Sequence, residues 1–208
     1  MIKLRGYSDP PRISDLDLTV KPGEMVLLAG DAGTGKSRIV ACLAGLRRCR
    51  GQKISMAGHR PGSMTSLGRS FFLFQEDNFA PGKEVLSQLV RRLSTRGVGR
   101  RRARYMLDTW SKSWGVYQFL RRPPEKLPLP VLQIFGLCEL ELCSFTATVL
   151  DGPLYNLGPP VLEQATQLLL KIRESAAMLV LTDLPTTLYE VADRVVTLSP
   201  TTEAADGG

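Results

Sequence analysis

The stretch MVLLAGDAGTGKS, Met25 to Ser37, decides the fold. Its first five residues are apolar on both faces of an extended chain, the pattern of a central strand in a parallel sheet covered by helices on either side. The next eight, Gly30, Asp31, Ala32, Gly33, Thr34, Gly35, Lys36 and Ser37, satisfy G-x-x-x-x-G-K-[ST]. In that motif the glycines let successive backbone N–H groups turn inward as an anion nest, and the following helix adds partial positive charge. Lys36 then reaches phosphate oxygens, and the Ser37 hydroxyl is offered to a divalent cation. Ile39, Val40, Leu43 and Leu46 predict that helix from Lys36 to about Leu46.

Upstream, ISDLDLTV (Ile13 to Val20) alternates as a half-buried strand does, and PGE (Pro22 to Glu24) turns it into the central one. Downstream, KISMAG (Lys53 to Gly58) and RSFFLF (Arg69 to Phe74) read as strands joined by a Gly/Pro/Ser loop. Helices are predicted over Lys83 to Leu93 and about Ala103 to Leu120, the second with Trp110, Trp114 and Tyr117 on one packing face. After the proline-studded RRPPEKLPLP come a helix (Val131 to Cys143) and a strand (Thr146 to Leu150) closing on Asp151. A helix (about Val161 to Ser175), a strand (Met178 to Thr182), a short helix and a last strand (Arg194 to Leu198) follow. Such alternation implies an α/β fold with a mostly parallel sheet. Residues 201–208 read as a frayed tail.

The 208 residues fit one domain with one core, and 43% hydrophobic with 23% charged residues excludes collagen-like and broadly disordered readings. The longest nearly apolar stretch, Val131 to Leu150, contains Glu139 and Glu141, so no membrane span is expected. The N-terminus has no apolar run after its first charges, and a cytoplasmic location follows as the expectation. Cys42, Cys49, Cys138 and Cys143 form no CxxC pair and read as small buried hydrophobes. The net charge of +7 is concentrated between Arg91 and Arg122, where ten basic residues face Asp108 alone.

A carboxylate after an apolar strand is the second element a magnesium–nucleotide site requires, and Asp151 in VLDGP supplies it. Together these features resemble the nucleotide-binding subunit of ABC transporters over nearly the whole chain, Tyr7 to Leu198. Tyr7 lies where that family places an aromatic that stacks on adenine. Gln75, in FFLFQED, matches its Q-loop glutamine, and VADRVVTL its closing strand. The resemblance implies a P-loop NTPase fold over residues 1–200, with N-terminal antiparallel strands and a helical subdomain inserted at about 76–130. It also implies ATP and Mg2+ as cofactors, held by Tyr7, Gly30 to Ser37, Arg38, Gln75 and Asp151. Ser37, Gln75 and Asp151 would serve the metal, Asp151 through water. Integral membrane subunits and a second nucleotide-binding subunit, in a homo- or heterodimer, are the implied partners. The chain would lie peripherally on the inner face of the cell membrane.

Four departures weaken the implied hydrolysis. Where the family has LSGGQ this chain reads LPLPV, Leu127 to Val131, and two prolines remove N–H donors from a phosphate cradle. Gly152 replaces the glutamate that activates water, and Asp183 the switch histidine. The loop after Asp151 ends in Tyr155-Asn156-Leu157-Gly158 instead of Leu-Asp. The leading expectation is an ATP-binding transport subunit with weak or no hydrolysis. One alternative keeps it an active ATPase with Glu76 as substitute base. Another makes it a P-loop phosphotransferase or nucleic-acid-linked NTPase gripping phosphates through its arginines. Within the transporter reading, nucleic acid is not expected, and the segment from Arg91 to Arg122 could meet acidic lipid headgroups or a membrane-subunit loop.

Overall fold

The computed structural model describes residues 1–75, 78–155, 157–183 and 188–198. Ile2–Asp9 (β1) pairs antiparallel with Ile13–Val20 (β2) on one edge and with Lys53–Met56 (β4) on the other. From Leu16 to Val20 the burial alternates, with Leu18 and Val20 inward and Asp17 facing water, whereas Ile13 is buried out of phase with them, beyond Asp15 at φ +54° and a register shift against β1.

Met25–Ala29 (β3) lies between Ala177–Thr182 (β7) and Arg194–Thr197 (β8), parallel to both. Ala147–Asp151 (β6) extends this sheet beside β7, and Ser70–Leu73 (β5) forms its edge, in the order β5-β6-β7-β3-β8. Every residue of β3, β6 and β7 is buried, so the two-sided apolar pattern marks the middle of the sheet. Each fully buried Leu or Val contributes about 1.5–3 kcal/mol, which fixes these strands more firmly than their short ladders alone. The cover is not helical throughout, contrary to expectation: β7 packs against β1 and β2, and Lys36–Leu43 (α1) against β6 and β4.

Helix α1 stops three residues before the expected Leu46. Gly45 turns the chain in the left-handed region at φ +76°, and the N–H groups of Gly45 and Leu46 close on the carbonyls of Cys42 and Ala41. Leu46, read with Ile39, Val40 and Leu43 at helical spacing, lies past the helix end and is 73% exposed. Cys42 and Cys49 are joined by a disulfide, their Cα atoms 5.2 Å apart, which corrects the expectation for this pair. Cys138 is a buried free thiol and Cys143 a half-buried one. The segment read as a loop before β5 contains a short helix, Met64–Arg69 (α2), whose first turn is capped by the Ser63 hydroxyl accepting from the Ser66 N–H.

The chain divides into two compact units, one of Met1–Phe72, Phe145–Gly152 and Arg173–Gly208, the other of Leu73–Ser144 and Pro153–Ile172. The second carries the helices Val85–Thr95 (α3), Arg100–Ser113 (α4), Leu129–Leu142 (α5) and nearly all of Pro159–Arg173 (α6). The insertion expected at about 76–130 lies inside it. Among the described residues, no helix is long and apolar enough to cross a membrane.

Trp110 and Trp114 are buried, and both indole N–H groups donate to one Glu141 oxygen, at 2.7 and 2.8 Å. Tyr117 leaves their face: α4 ends at Ser113, the chain turns at Gly115, and the ring is 43% exposed beneath the Lys112 ammonium. Glu141→Ala leaves two indole donors without a partner. An expected loss of about 1–2 kcal/mol, with a red-shifted tryptophan emission, follows from the cost of unsatisfied donors near the surface. Glu141→Gln keeps the acceptor and is expected to retain most of that stability.

Candidate nucleotide-binding site

The loop from Gly30 to Ser37 runs from the end of β3 to the start of α1 in the first unit. Lys36 is only 5% exposed, and its ammonium is a strut inside the loop. Lys36 Nζ donates to the Gly30 carbonyl at 2.6 Å, to the Asp31 carbonyl at 2.8 Å and to Thr34 Oγ1 at 3.3 Å. Thr34 Oγ1 itself donates to the Asp31 carbonyl at 2.9 Å. The backbone is packed too closely for larger residues: a Cβ on Gly30 would come 2.8 Å from the Leu198 carbonyl, and one on Gly35 3.0 Å from Ile13 Cδ1. Asp31, Ala32, Gly33 and Ser37 remain exposed along the rim.

Two carboxylates face this loop. Asp151, at the end of β6, accepts a hydrogen bond from the Ser37 hydroxyl. Burial raises its carboxyl above the ordinary carboxylate range; the Ser37 hydrogen bond and the Lys36 charge oppose that rise, and the Asp183 charge adds to it. Asp183, just past the end of β7, forms an ion pair with Lys36 at 3.0 Å. The residue standing where a switch histidine was expected is therefore bound to the loop's own cation.

Gly152 is fixed as well as chemically bare. Its φ is +58°, and its N–H donates to the Leu181 carbonyl at 2.9 Å. In the second unit, Leu127 to Val131 leads into α5, with Pro128 and Pro130 lacking N–H groups. The Leu127 and Val131 N–H groups are already bonded to the carbonyls of Pro124 and Pro128, so only that of Leu129 is left for an external acceptor.

Other sequence-predicted residues fall elsewhere. Tyr7 is 1% exposed within the β2-β1-β4 sheet, and burial followed by the Asp9 charge pushes its phenol up to about 12. The ring is enclosed in this structure and presents no free face to a base. Arg38 is committed to Asp9 at 2.8 Å, where Arg47 also binds at 3.0 Å. Burial would raise the Asp9 carboxyl, but these two guanidiniums outweigh it and hold the carboxyl below its usual range. Gln75 follows β5 in the second unit, while Glu76 lies outside the described residues. A residue missed at the sequence level is Arg12, in the turn between β1 and β2, whose guanidinium donates to the Gly33 carbonyl at 2.7 Å. Its type suits an anion site, but no spacing placed it on the loop.

A buried strand, a glycine loop threaded by a lysine, and a carboxylate closing the neighbouring strand define the phosphate-loop class of nucleotide-binding proteins. The sequence profile described as "ABC transporter" matches residues 13–154, and the chain belongs to that family. It is 24% identical over 197 residues, 89% of its length, to the galactofuranose transporter ATP-binding protein YtfR of Escherichia coli. To the sn-glycerol-3-phosphate import ATP-binding protein UgpC of Vibrio cholerae it is 27% identical over 146 residues, 70% of its length. The chain spans 39% of each of these relatives. The dimeric post-hydrolysis ATP-binding cassette MJ0796, bound to ADP and Pi, shares the fold at a TM-score of 0.82 and 18% identity, covering 97% of this chain and 95% of that one.

The family binds ATP with Mg2+. The residues present fit both. The Lys36 ammonium already holds one anionic group, the Asp183 carboxylate, and the Ser37 hydroxyl and Asp151 carboxylate meet as the hard oxygen donors Mg2+ prefers. When bound, the metal neutralises phosphate charge. The chain's own contribution is the loop backbone, the Lys36 charge and the orientation of Ser37.

Proposed function

We propose that this chain is an ATP-holding subunit of an ABC-type membrane transport complex, with weak or no hydrolysis, in which nucleotide sets conformation or subunit pairing. The observation that carries the reading is the Lys36–Asp183 ion pair. A carboxylate on the phosphate-binding lysine competes with the nucleotide's own negative charge, where a histidine would donate to it. Gly152 supplies no group to take a proton from water, and LPLPV offers a partner's nucleotide a depleted row of N–H donors. The cradle is kept while the groups that cut the bond are absent.

Membrane subunits and a second nucleotide-binding subunit are the partners of this reading, with the chain peripheral on the inner membrane face. In the second unit a cavity of about 300 Å3 lies beside Gln75, walled by Phe79, Pro81, Leu129 and Leu132. Its apolar lining supports a contact with a membrane subunit's segment.

The test is MgATP binding and turnover on the purified chain. Binding is expected without turnover above the buffer rate, and Asp183→Asn is expected to tighten binding about tenfold, or about 1.4 kcal/mol, by freeing Lys36. Rapid hydrolysis that vanishes with Lys36→Ala would sink the weak-hydrolysis part. Absence of binding by both the native chain and Asp183→Asn would sink the rest.

A further inference from the structure

The Arg-rich segment is not a uniform charged face. Arg92 stacks over the Phe79 ring and donates to the Asn78 carbonyl, Arg96 pairs with Glu139 at 3.0 Å, and Arg122 lies over Phe119. These arginines hold the second unit together. Four others, Arg91 of α3, Arg100 and Arg104 one turn apart on α4, and Arg121 after the short 3-10 turn Tyr117–Phe119, line a single cavity of about 760 Å3. Its floor includes the nearly buried Leu86 and Val90.

Glu84 and Asp108 are the acids of the same wall, yet among the described residues none of the four guanidiniums has an ion-pair partner. Three separate chain segments thus converge four cations on one concavity against two acids that form no ion pair with them, which leaves the cavity net positive. The arrangement raises the local potential for an anion. Guanidinium forks match phosphate oxygens two at a time, and four forks exceed what one monoanion needs. By contrast Arg101 and Arg102, exposed on the same helix, line no part of this cavity and are ordinary solvated charges.

We propose that the cavity between α3 and α4 is a binding site for clustered phosphate groups, carried by one small polyphosphorylated anion or presented side by side by lipid headgroups. The site lies wholly within the second unit, and it stands or falls independently of nucleotide binding at Lys36.

Two probes separate the sources. Inorganic tripolyphosphate is titrated, without nucleotide and at about 0.1 M salt, into the full chain carrying Lys36→Ala to weaken the phosphate loop, and vesicles of phosphatidylcholine with phosphatidic acid are used in a flotation assay with the same chain. At least one probe is expected to bind, with Arg91→Gln/Arg104→Gln weakening it tenfold or more. Arg101→Gln/Arg102→Gln removes the same total charge, all of it from α4, and is expected to change binding less than twofold. Binding of tripolyphosphate alone assigns a soluble anion, and binding of vesicles alone assigns headgroups. Equal losses in the two double variants, or binding of neither probe by the chain that keeps all its arginines, overturns the site. Melting curves on both variants establish that they are folded, since all four positions are exposed.

Discussion

Lys36→Ala is expected to weaken MgATP binding by 100-fold or more, about 2.7 kcal/mol, measured by equilibrium titration with a fluorescent nucleotide. Three effects add. The phosphates lose their facing cation. The loop loses the strut that ties together Gly30, Asp31 and Thr34. The Asp183 carboxylate, no longer held at 3.0 Å by the ammonium, stays near the site with Asp151 as uncompensated negative charge. Because Asp183 is 32% exposed, stranding its charge costs less than the roughly 3–5 kcal/mol of a fully buried pair. The double variant Lys36→Ala/Asp183→Asn is therefore expected to recover part of the lost affinity, a non-additivity that a purely steric role for Lys36 would not produce. A loss of only a few-fold in the single variant would remove the lysine from the centre of the site.

Gly45→Ala is expected to destabilise the chain by about 3 kcal/mol or more, and Gly58→Ala by about 1 kcal/mol. Both glycines occupy the left-handed region, at φ +76° and +81°, so both substitutions carry the strain of an L side chain there. They differ in what the new carbon meets. At Gly45 it would fall 2.2 Å from the Gly62 Cα, backbone against backbone, whereas nothing lies within 4 Å of it at Gly58. For a chain of this length the expected fall in Tm is about 6–12 °C for the first and about 2–4 °C for the second. Equal falls would mean that the Gly45–Gly62 approach adds nothing beyond dihedral strain.

Much of the sheet was legible in the sequence because its signals are local. MVLLA, TATVL and MLVLT are largely apolar runs bounded by turn residues, and β3, β6 and β7 sit within one residue of those readings. The glycine loop and the carboxylate of Asp151 came from spacing and strand ends for the same reason. What escaped depended on contacts between distant segments. Burial of Tyr7 is decided by how β1 is enclosed, which no count of residues before Lys36 reveals. The Arg12 contact with Gly33 spans 21 residues, and the Asp183 contact with Lys36 requires β7 to lie beside β3. The Cys42–Cys49 bridge depends on the turn at Gly45 bringing the chain back to α1.

Gly152 constrains what a carboxylate placed at this position could do. A glutamate there would enter at φ +58°, a conformation that costs a side-chain-bearing residue about 1 kcal/mol, with its N–H still drawn to the Leu181 carbonyl. Gly152→Glu would thus set a carboxylate on a left-handed backbone at the strand end, aimed by that geometry and not by an extended chain.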